Sequence, residues 1–377
     1  MNNMKKIDKN LQKTIVLFDE NKKFTCLLYV NNFERAKIFF NSNSIKIIRE
    51  YKFLNLIALN LDTKQIYSFA NQSFVDYISE STSVLTLTDV SRKIIGVENL
   101  NSDGKDVCVA IIDTGISNHF DFVIGKNRVV KFIDLVNQKT FQYDDNGHGT
   151  FVAGILAGSG LMSFGKYKGF APNCKIVSIK ALDKKGEANA IKILDAFEWI
   201  YKNHKDYNIK VVCMSFGSEP TSYNDPIMYG AEKLWNSGVV VVAAAGNSGP
   251  KYQTIKSPGI SSKIITVGGF DDNRIGDNYD ENNFEIADFS SRGPAFARIK
   301  PDMVAPSVDI VSCSLNNSYT KLSGTSVSAP MIAGVCADIL QKNPNLSPDM
   351  VKRFLLSNCK AIVHDYNQEG LGYLKLK

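Results

Sequence analysis

Two kinds of apolar patterning divide the chain. In residues 1–87 the segments are short: 24–30 is strand-like, 32–40 an amphipathic helix, 44–50 and 53–60 two further strands, 63–70 a second short helix and 73–79 a last strand. That β-α-β-β-α-β order matches the ferredoxin-like split arrangement. A segment this short predicts a thin core that leans on the rest of the protein. From residue 88 the texture changes. Continuous apolar runs at 107–112, 175–179, 211–214, 239–245 and 264–267 alternate with helix-like stretches, of which 190–202 and 226–236 fit crossover helices. Such runs suit strands buried on both faces of a parallel sheet, and in sheets of that kind function gathers at the carboxyl ends of the strands.

One further segment is apolar all round. After Gly324-Thr325-Ser326 come Val327, Ala329, Met331, Ile332, Ala333, Gly334, Val335, Ala337, Ile339 and Leu340, a pattern of a buried helix rather than a surface one. Pro330 fits because it falls near the first turn, where backbone N–H groups lack intrahelical partners. Ser326 then sits at the positive end of that helix, either as an N-cap or facing an anion.

Three other polar residues stand where the pattern breaks. Asp113 ends the run 107–112, where an acid either caps a turn or orients something. His148 lies between two glycines in Asp145-Asn146-Gly147-His148-Gly149-Thr150, and flanking glycines let another backbone come close. Asn247 follows the run 239–245, and its amide either forms a turn or is held as a donor for developing negative charge.

Composition narrows the class. Of 377 residues, 44% are hydrophobic and 22% charged, as in ordinary globular proteins, and the formal charge is +6. Residues 1–87 carry twelve Lys/Arg against eight Asp/Glu, so most of the excess lies there. No dense basic tract points to nucleic acid, and no apolar stretch has signal-peptide or membrane-span length. The seven cysteines are scattered with no Cys-x-x-Cys pair, which reads as free thiols in a reducing compartment. The expectation is a cytoplasmic protein with no nucleic-acid or membrane partner.

Taken together, Asp113, His148, Asn247 and Ser326 in that order, each in its local motif, resemble the subtilisin-like serine proteases (subtilases) over roughly residues 105–342. Asp134-Leu135-Val136-Asn137-Gln138-Lys139-Thr140, Ser257-Pro258-Gly259 and Phe289-Ser290-Ser291-Arg292-Gly293-Pro294 resemble its intracellular AprX-like branch in particular. The resemblance implies a doubly wound, mostly parallel seven-stranded sheet over 88–377, preceded by an inhibitory and folding-assisting propeptide domain over 1–87. It implies a serine endopeptidase: Ser326 as nucleophile, His148 as base, Asp113 orienting the imidazole and Asn247 in the oxyanion hole. Gly186-Glu187-Ala188 and Ser215-Phe216-Gly217 correspond to the segments that sandwich a polypeptide substrate as an added strand. Ser248 puts no charge beside the first pocket, so large apolar residues are expected before the cut. Leu87 and Thr88 would flank the bond at which the enzyme cuts off its own propeptide, which then stays as inhibitor, with Val84 in a fourth, apolar pocket.

Some positions depart from the family pattern. Val327 stands where many relatives have Met, and Phe151 where a second His is frequent. The segment 158–165 lacks the Asn-rich loop that helps form a strong calcium site in secreted subtilisins. No cofactor is therefore expected to be required; the acidic stretch Asp271-Asp272-Asn273, Asp277, Asp280-Glu281 either binds calcium weakly or is a solvated loop. Two other functions stay in view: a catalytically silent regulatory protein of the same fold, and a dedicated maturase for one peptide.

Overall fold

In the computed structural model, which describes residues 4–8, 11–12, 15–16, 22–52, 55–80, 90–220 and 225–377, the chain divides into two compact units, Met1–Leu85 and Thr86–Lys377.

The first unit is a four-stranded antiparallel sheet in the order β2-β3-β1-β4, built from β1 (Phe24–Val30), β2 (Ile47–Tyr51), β3 (Leu56–Leu61) and β4 (Val75–Glu80). Helix α1 (Phe33–Ser42) joins β1 to β2, and α2 (Thr63–Ala70) joins β3 to β4. Asn32 caps α1 through the N–H of Arg35, and Asp62 with Gln65 forms a capping box at α2. Alternate residues of β1 (Phe24, Cys26, Leu28 and Val30) are buried with Ala36, Phe40, Ile66 and Phe69 of the helices. The core is fuller than the length suggests, because Phe39, Phe40, Phe69 and Phe74 pack ring against ring in it, edge-on or tilted.

The second unit holds a ten-stranded sheet. Its strands and the helices between them are, in chain order, β5 (Cys108–Asp113), β6 (Val129–Asp134), α3 (His148–Ala157), β7 (Lys175–Lys180), α4 (Ala190–Asn203), β8 (Ile209–Met214), α5 (Pro226–Asn236), β9 (Val240–Ala244), β10 (Ile265–Asp271), β11 (Glu285–Ile286) and β12 (Met303–Pro306). A hairpin of β13 (Ile310–Ser314) and β14 (Ser318–Leu322), the long helix α6 (Thr325–Lys342), β15 (Cys359–Lys360) and β16 (Tyr373–Leu374) follow. The spatial order is β15-β16-β12-β10-β9-β8-β5-β7-β6, with β11 pairing β10. All neighbours from β6 through to β16 are parallel.

The resemblance implies seven strands. Seven longer parallel strands are present, and three two-residue strands, β11, β15 and β16, widen the sheet. Periodicity cannot detect segments so short. β6 also escapes it: as an edge strand it exposes Val130 and Lys131, which breaks the apolar run. Every residue of β5 and β9 is buried, which is why their sequences do not alternate. The chain leaves β5 toward β6, returns to β7 and then crosses to β8 on the other side. That reversal puts the carboxyl ends of β5, β8 and β9 around one crevice.

Candidate active site

Asp113 is the last residue of β5 and His148 the first of α3, so strand and helix bring the two side chains together. His148 Nδ1–H donates to Asp113 Oδ1 at 2.8 Å. The carboxylate also accepts the Thr114 N–H at 2.7 Å, while its buried Oδ2 takes no protein donor. So sparsely solvated an anion is compensated by positive charge on the ring. The Asp113 charge lifts the His148 pKa above its ordinary 6.5; burial opposes this, and the hydrogen bond to Asp113 and the charge of Asp144 add to it. The His148 side chain keeps 27% exposure, so the edge bearing Nε2 can meet a substrate group.

Asp144 fixes where the helix starts. Its carboxylate accepts from the backbone N–H of Asn146, Gly147 and Thr150 and from the hydroxyls of Thr114 and Thr150, all at 2.7–3.0 Å. Burial alone would raise its pKa; the bonds from Gly147, Thr150 and Asn146 outweigh that and hold it below the usual carboxylate value. Lys180, wholly buried at the end of β7, donates to Thr114 O, Leu182 O and Asp145 Oδ1 at 2.7–3.0 Å. It thereby pins the end of β5 to the turn that precedes His148. Neither residue follows from the sequence pattern, although the doubled acid in Asp144-Asp145-Asn146-Gly147 is a signal that could find the first.

Ser326 is the second residue of α6, where its backbone N–H has no intrahelical acceptor. The helix is buried from Val327 to Leu340 and packs against α3, which brings the serine to the same end of the sheet as His148. Asn247, three residues past β9, is turned by Thr325: the Thr325 N–H and hydroxyl donate to Asn247 Oδ1 at 2.9 and 3.0 Å. The oxygen being taken, Nδ2 is the free face of the amide. Gly324 has φ 147, and a Cβ there would lie 3.1 Å from Asn247 Nδ2 and 3.4 Å from Ser326 Oγ. Those two atoms therefore flank one small space that only glycine leaves open.

The loop that carries Asn247 is braced by two of the sequence motifs. Ser291 donates its N–H to Gly246 O and accepts the Ser248 N–H on its hydroxyl, at 2.9 and 3.0 Å, and Gly249 N–H donates to Phe289 O. From the other side, Lys256 N–H donates to Ala245 O at 2.9 Å.

The two expected substrate edges face each other across a cleft of about 400 Å³ lined by Gly186, Glu187, Ala188, Phe216 and Gly217. Asp183 shapes the first edge, its Oδ1 accepting the N–H groups of Lys185 and Glu187. Ser215 begins the second edge directly after β8 and is buried. Ser248 is uncharged, and Lys256 packs against both Gly217 and Gly246 and pairs with Glu219. Leu87, Thr88 and Val84 lie outside the described residues.

Two clusters have the composition of metal sites. His119, Asp121 and Cys313 hold their ligand atoms within 4.8 Å of one another. Their lone pairs are engaged: Asp121 accepts the N–H of Gly160 and Met162, the Tyr319 hydroxyl and the Cys313 thiol, and His119 Nδ1 accepts the Asp121 N–H. Asp121 thus shapes the 158–165 segment with ordinary donors. In the acidic stretch, Asp272 pairs with Arg274, and Glu281 pairs with Lys360 and Lys375. The seven cysteines are free, and burial pushes the thiols of Cys108, Cys213 and Cys359 up to about 12. Among the described residues no helix is long and apolar enough to cross a membrane.

Comparison with known proteins shows the family of the chain. A model of the subtilase family matches residues 104–373. The chain is similar to the serine protease AprX of Bacillus subtilis, with 43% identity over 304 residues, covering 74% of this chain and 67% of that protein. It is similar to subtilisin DY of Bacillus licheniformis, with 36% identity over 257 residues, covering 67% of this chain and 84% of that one. Among solved structures, sphericase superposes with a TM-score of 0.65 at 26% identity, over 78% of this chain and all (100%) of its own. A cold-adapted subtilisin-like serine proteinase superposes with a TM-score of 0.59 at 29% identity, over 73% of this chain and 90% of its own.

Proposed function

Because this chain belongs to the subtilase family and is a serine endopeptidase, we propose that Asp113, His148, Ser326 and Asn247 are its catalytic residues and that it is made as a self-processed zymogen. The observation that carries the assignment is the His148–Asp113 hydrogen bond at 2.8 Å, made at the sheet end where Asn247 Nδ2 and Ser326 Oγ flank the Gly324 space.

In the proposed reaction Ser326 Oγ bonds to the scissile carbonyl carbon as its proton passes to His148 Nε2. The carbonyl electron pair moves onto oxygen, which the Asn247 amide and the Ser326 N–H receive. Asp113 stabilises the imidazolium and keeps its tautomer. Collapse of the tetrahedral species breaks the C–N bond, and the leaving amine takes the proton back from His148. Water then repeats the sequence on the acyl-enzyme and frees Ser326. No step calls on a cofactor. The polypeptide substrate lies as an added strand between residues 186–188 and 215–217.

Residues 1–87 are proposed as the inhibitory propeptide, with the cut between Leu87 and Thr88. The antiparallel unit ending in β4 supports this, since β4 leads the chain directly into that segment. Scattered free cysteines support a cytoplasmic setting.

A fluorophosphonate probe tests the core of the proposal. It should label Ser326, and neither Ser326→Ala nor His148→Ala protein should react at an appreciable rate. N-terminal sequencing tests the rest: active protein should begin near Thr88, and Ser326→Ala protein should stay full length. Full activity with Met1 still attached would show that the first unit is a permanent domain.

A further inference from the structure

In the proposed binding mode, Lys256 borders the space that receives the side chain before the scissile bond. A substrate strand lying along residues 215–217, with its carbonyl at Asn247, points that side chain between Gly217 and the Gly246-Asn247-Ser248 turn. Residue 256 lies against both of these walls. Its N–H donates to Ala245 O, and the next residue pairs with Ser218 through both backbone bonds, Ser218 N–H to Ser257 O and Ser257 N–H to Ser218 O. A Cβ on Gly217 would come within 2.5 Å of Lys256 Cβ, and one on Gly246 would run into Lys256 Cγ. The lysine stem therefore lies against both glycines, and the pocket is shallower than the two glycines alone would make it.

The end of that stem is charged. Lys256 Nζ pairs with Glu219, whose side chain is 82% exposed while that of Lys256 is 14% exposed. The partner is thus solvated and cheaply displaced, because exposed ion pairs contribute only about 0.2–1 kcal/mol. The ammonium is held in place by its packed stem.

We infer that Lys256 is a specificity-determining residue, and that it makes charge the discriminator at the position before the cut: acidic side chains over their neutral isosteres, and neutral over basic. This rests on the proposed catalytic site and departs from the expectation of large apolar residues before the cut. A glutamate there exchanges for Glu219 on the ammonium, whereas a lysine meets like charge. Neutral residues such as Leu87 stay cleavable, and a tethered segment has its own effective concentration to help it.

The test uses mature enzyme and three fluorogenic peptides that differ only in Glu, Gln or Lys before one scissile bond. The wild type should favour Glu over Gln by about fivefold in kcat/KM, the scale of one partly exposed charge pair, and should cut the Lys peptide least. Lys256→Met should bring the Glu/Gln ratio close to one, Lys256→Arg should preserve it, and Glu219→Gln should raise it. Fluorophosphonate labelling of each variant reports an intact site; should Lys256→Met fail to label, Glu219→Gln at its exposed position decides by the same ratio. A labelled wild type with equal rates on Glu and Gln, or a Glu/Gln ratio untouched by these substitutions, overturns the inference alone. A wild type that neither labels nor cuts any of the three peptides overturns the proposed site as well.

Discussion

Asp338→Asn should make the protein's stability markedly less sensitive to pH. Asp338 sits in the middle of α6, the helix that carries Ser326; it has no exposure, and neither carboxyl oxygen has a protein hydrogen-bond partner. Burial pushes its pKa from 3.8 up to about 8; Arg92 and Lys168 oppose the shift, and Asp103 and Glu98 reinforce it. The carboxyl therefore keeps its proton in the folded protein at pH values where the unfolded chain has lost it. The folded state binds more protons throughout that window, so stability falls as pH rises from about 4 to about 8 and levels off above. At about 1.4 kcal/mol per unit, the cost near pH 7 is on the order of 4 kcal/mol, an upper bound that any water reaching the carboxyl reduces. An amide has no proton to lose. The assay is urea unfolding of Ser326→Ala protein, which cannot digest itself, with and without Asp338→Asn, at about pH 5 and about pH 8. The stability of the Asn form relative to its parent should rise by several kcal/mol between the two. A difference that stays constant would mean that Asp338 titrates at an ordinary carboxylate value and that its burial costs nothing electrostatic.

Three further outcomes concern catalysis. Asn247→Ala should lower kcat by about 10²–10³, which is the loss known for the oxyanion-hole asparagine of subtilisin itself, and normal turnover in that variant would remove the amide from the oxyanion site. Thr325→Val should cost about tenfold in kcat with KM little changed, because the hydroxyl that fixes Asn247 Oδ1 is lost; Thr325→Ser should recover it, and failure to do so would assign the loss to packing. The acid limb of kcat/KM should lie above pH 6.5, since the His148 pKa is raised and the base acts only when neutral, and Asp144→Asn should move that limb downward. A limb at or below 6.5 in the wild type would contradict the electrostatic role of Asp113.

The sequence is most legible where burial is symmetrical. β5 and β9 are covered on both faces, so their apolar runs are visible without alignment or context. Gly324 and the glycines beside His148 are legible for a related reason, since a residue without a side chain marks where another atom must stand. What escapes is cooperative. Asp144 matters through five donors drawn from Thr114 and from 146–150, and Thr325 through the amide of Asn247 in the loop after β9. Lys256 escapes because a lysine in a loop ordinarily points into water, and only the packing against Gly217 and Gly246 shows otherwise. The short strands β11, β15 and β16 are out of reach because two residues have no period.

The parallel sheet has a kinetic consequence. Its partners are remote along the chain: Cys108 lies opposite Ile209, and Val304 opposite Tyr373. Such pairings must close long loops before they return any contact energy, so they fold slowly and leave strand edges open meanwhile. The first unit pairs β1 with β3 and β4 within a much shorter segment and emerges from the ribosome earlier. A protease assembled this way spends its most vulnerable interval among molecules that can cut it. Its survival is then governed less by the depth of its free-energy well than by how rarely, once closed, the sheet reopens.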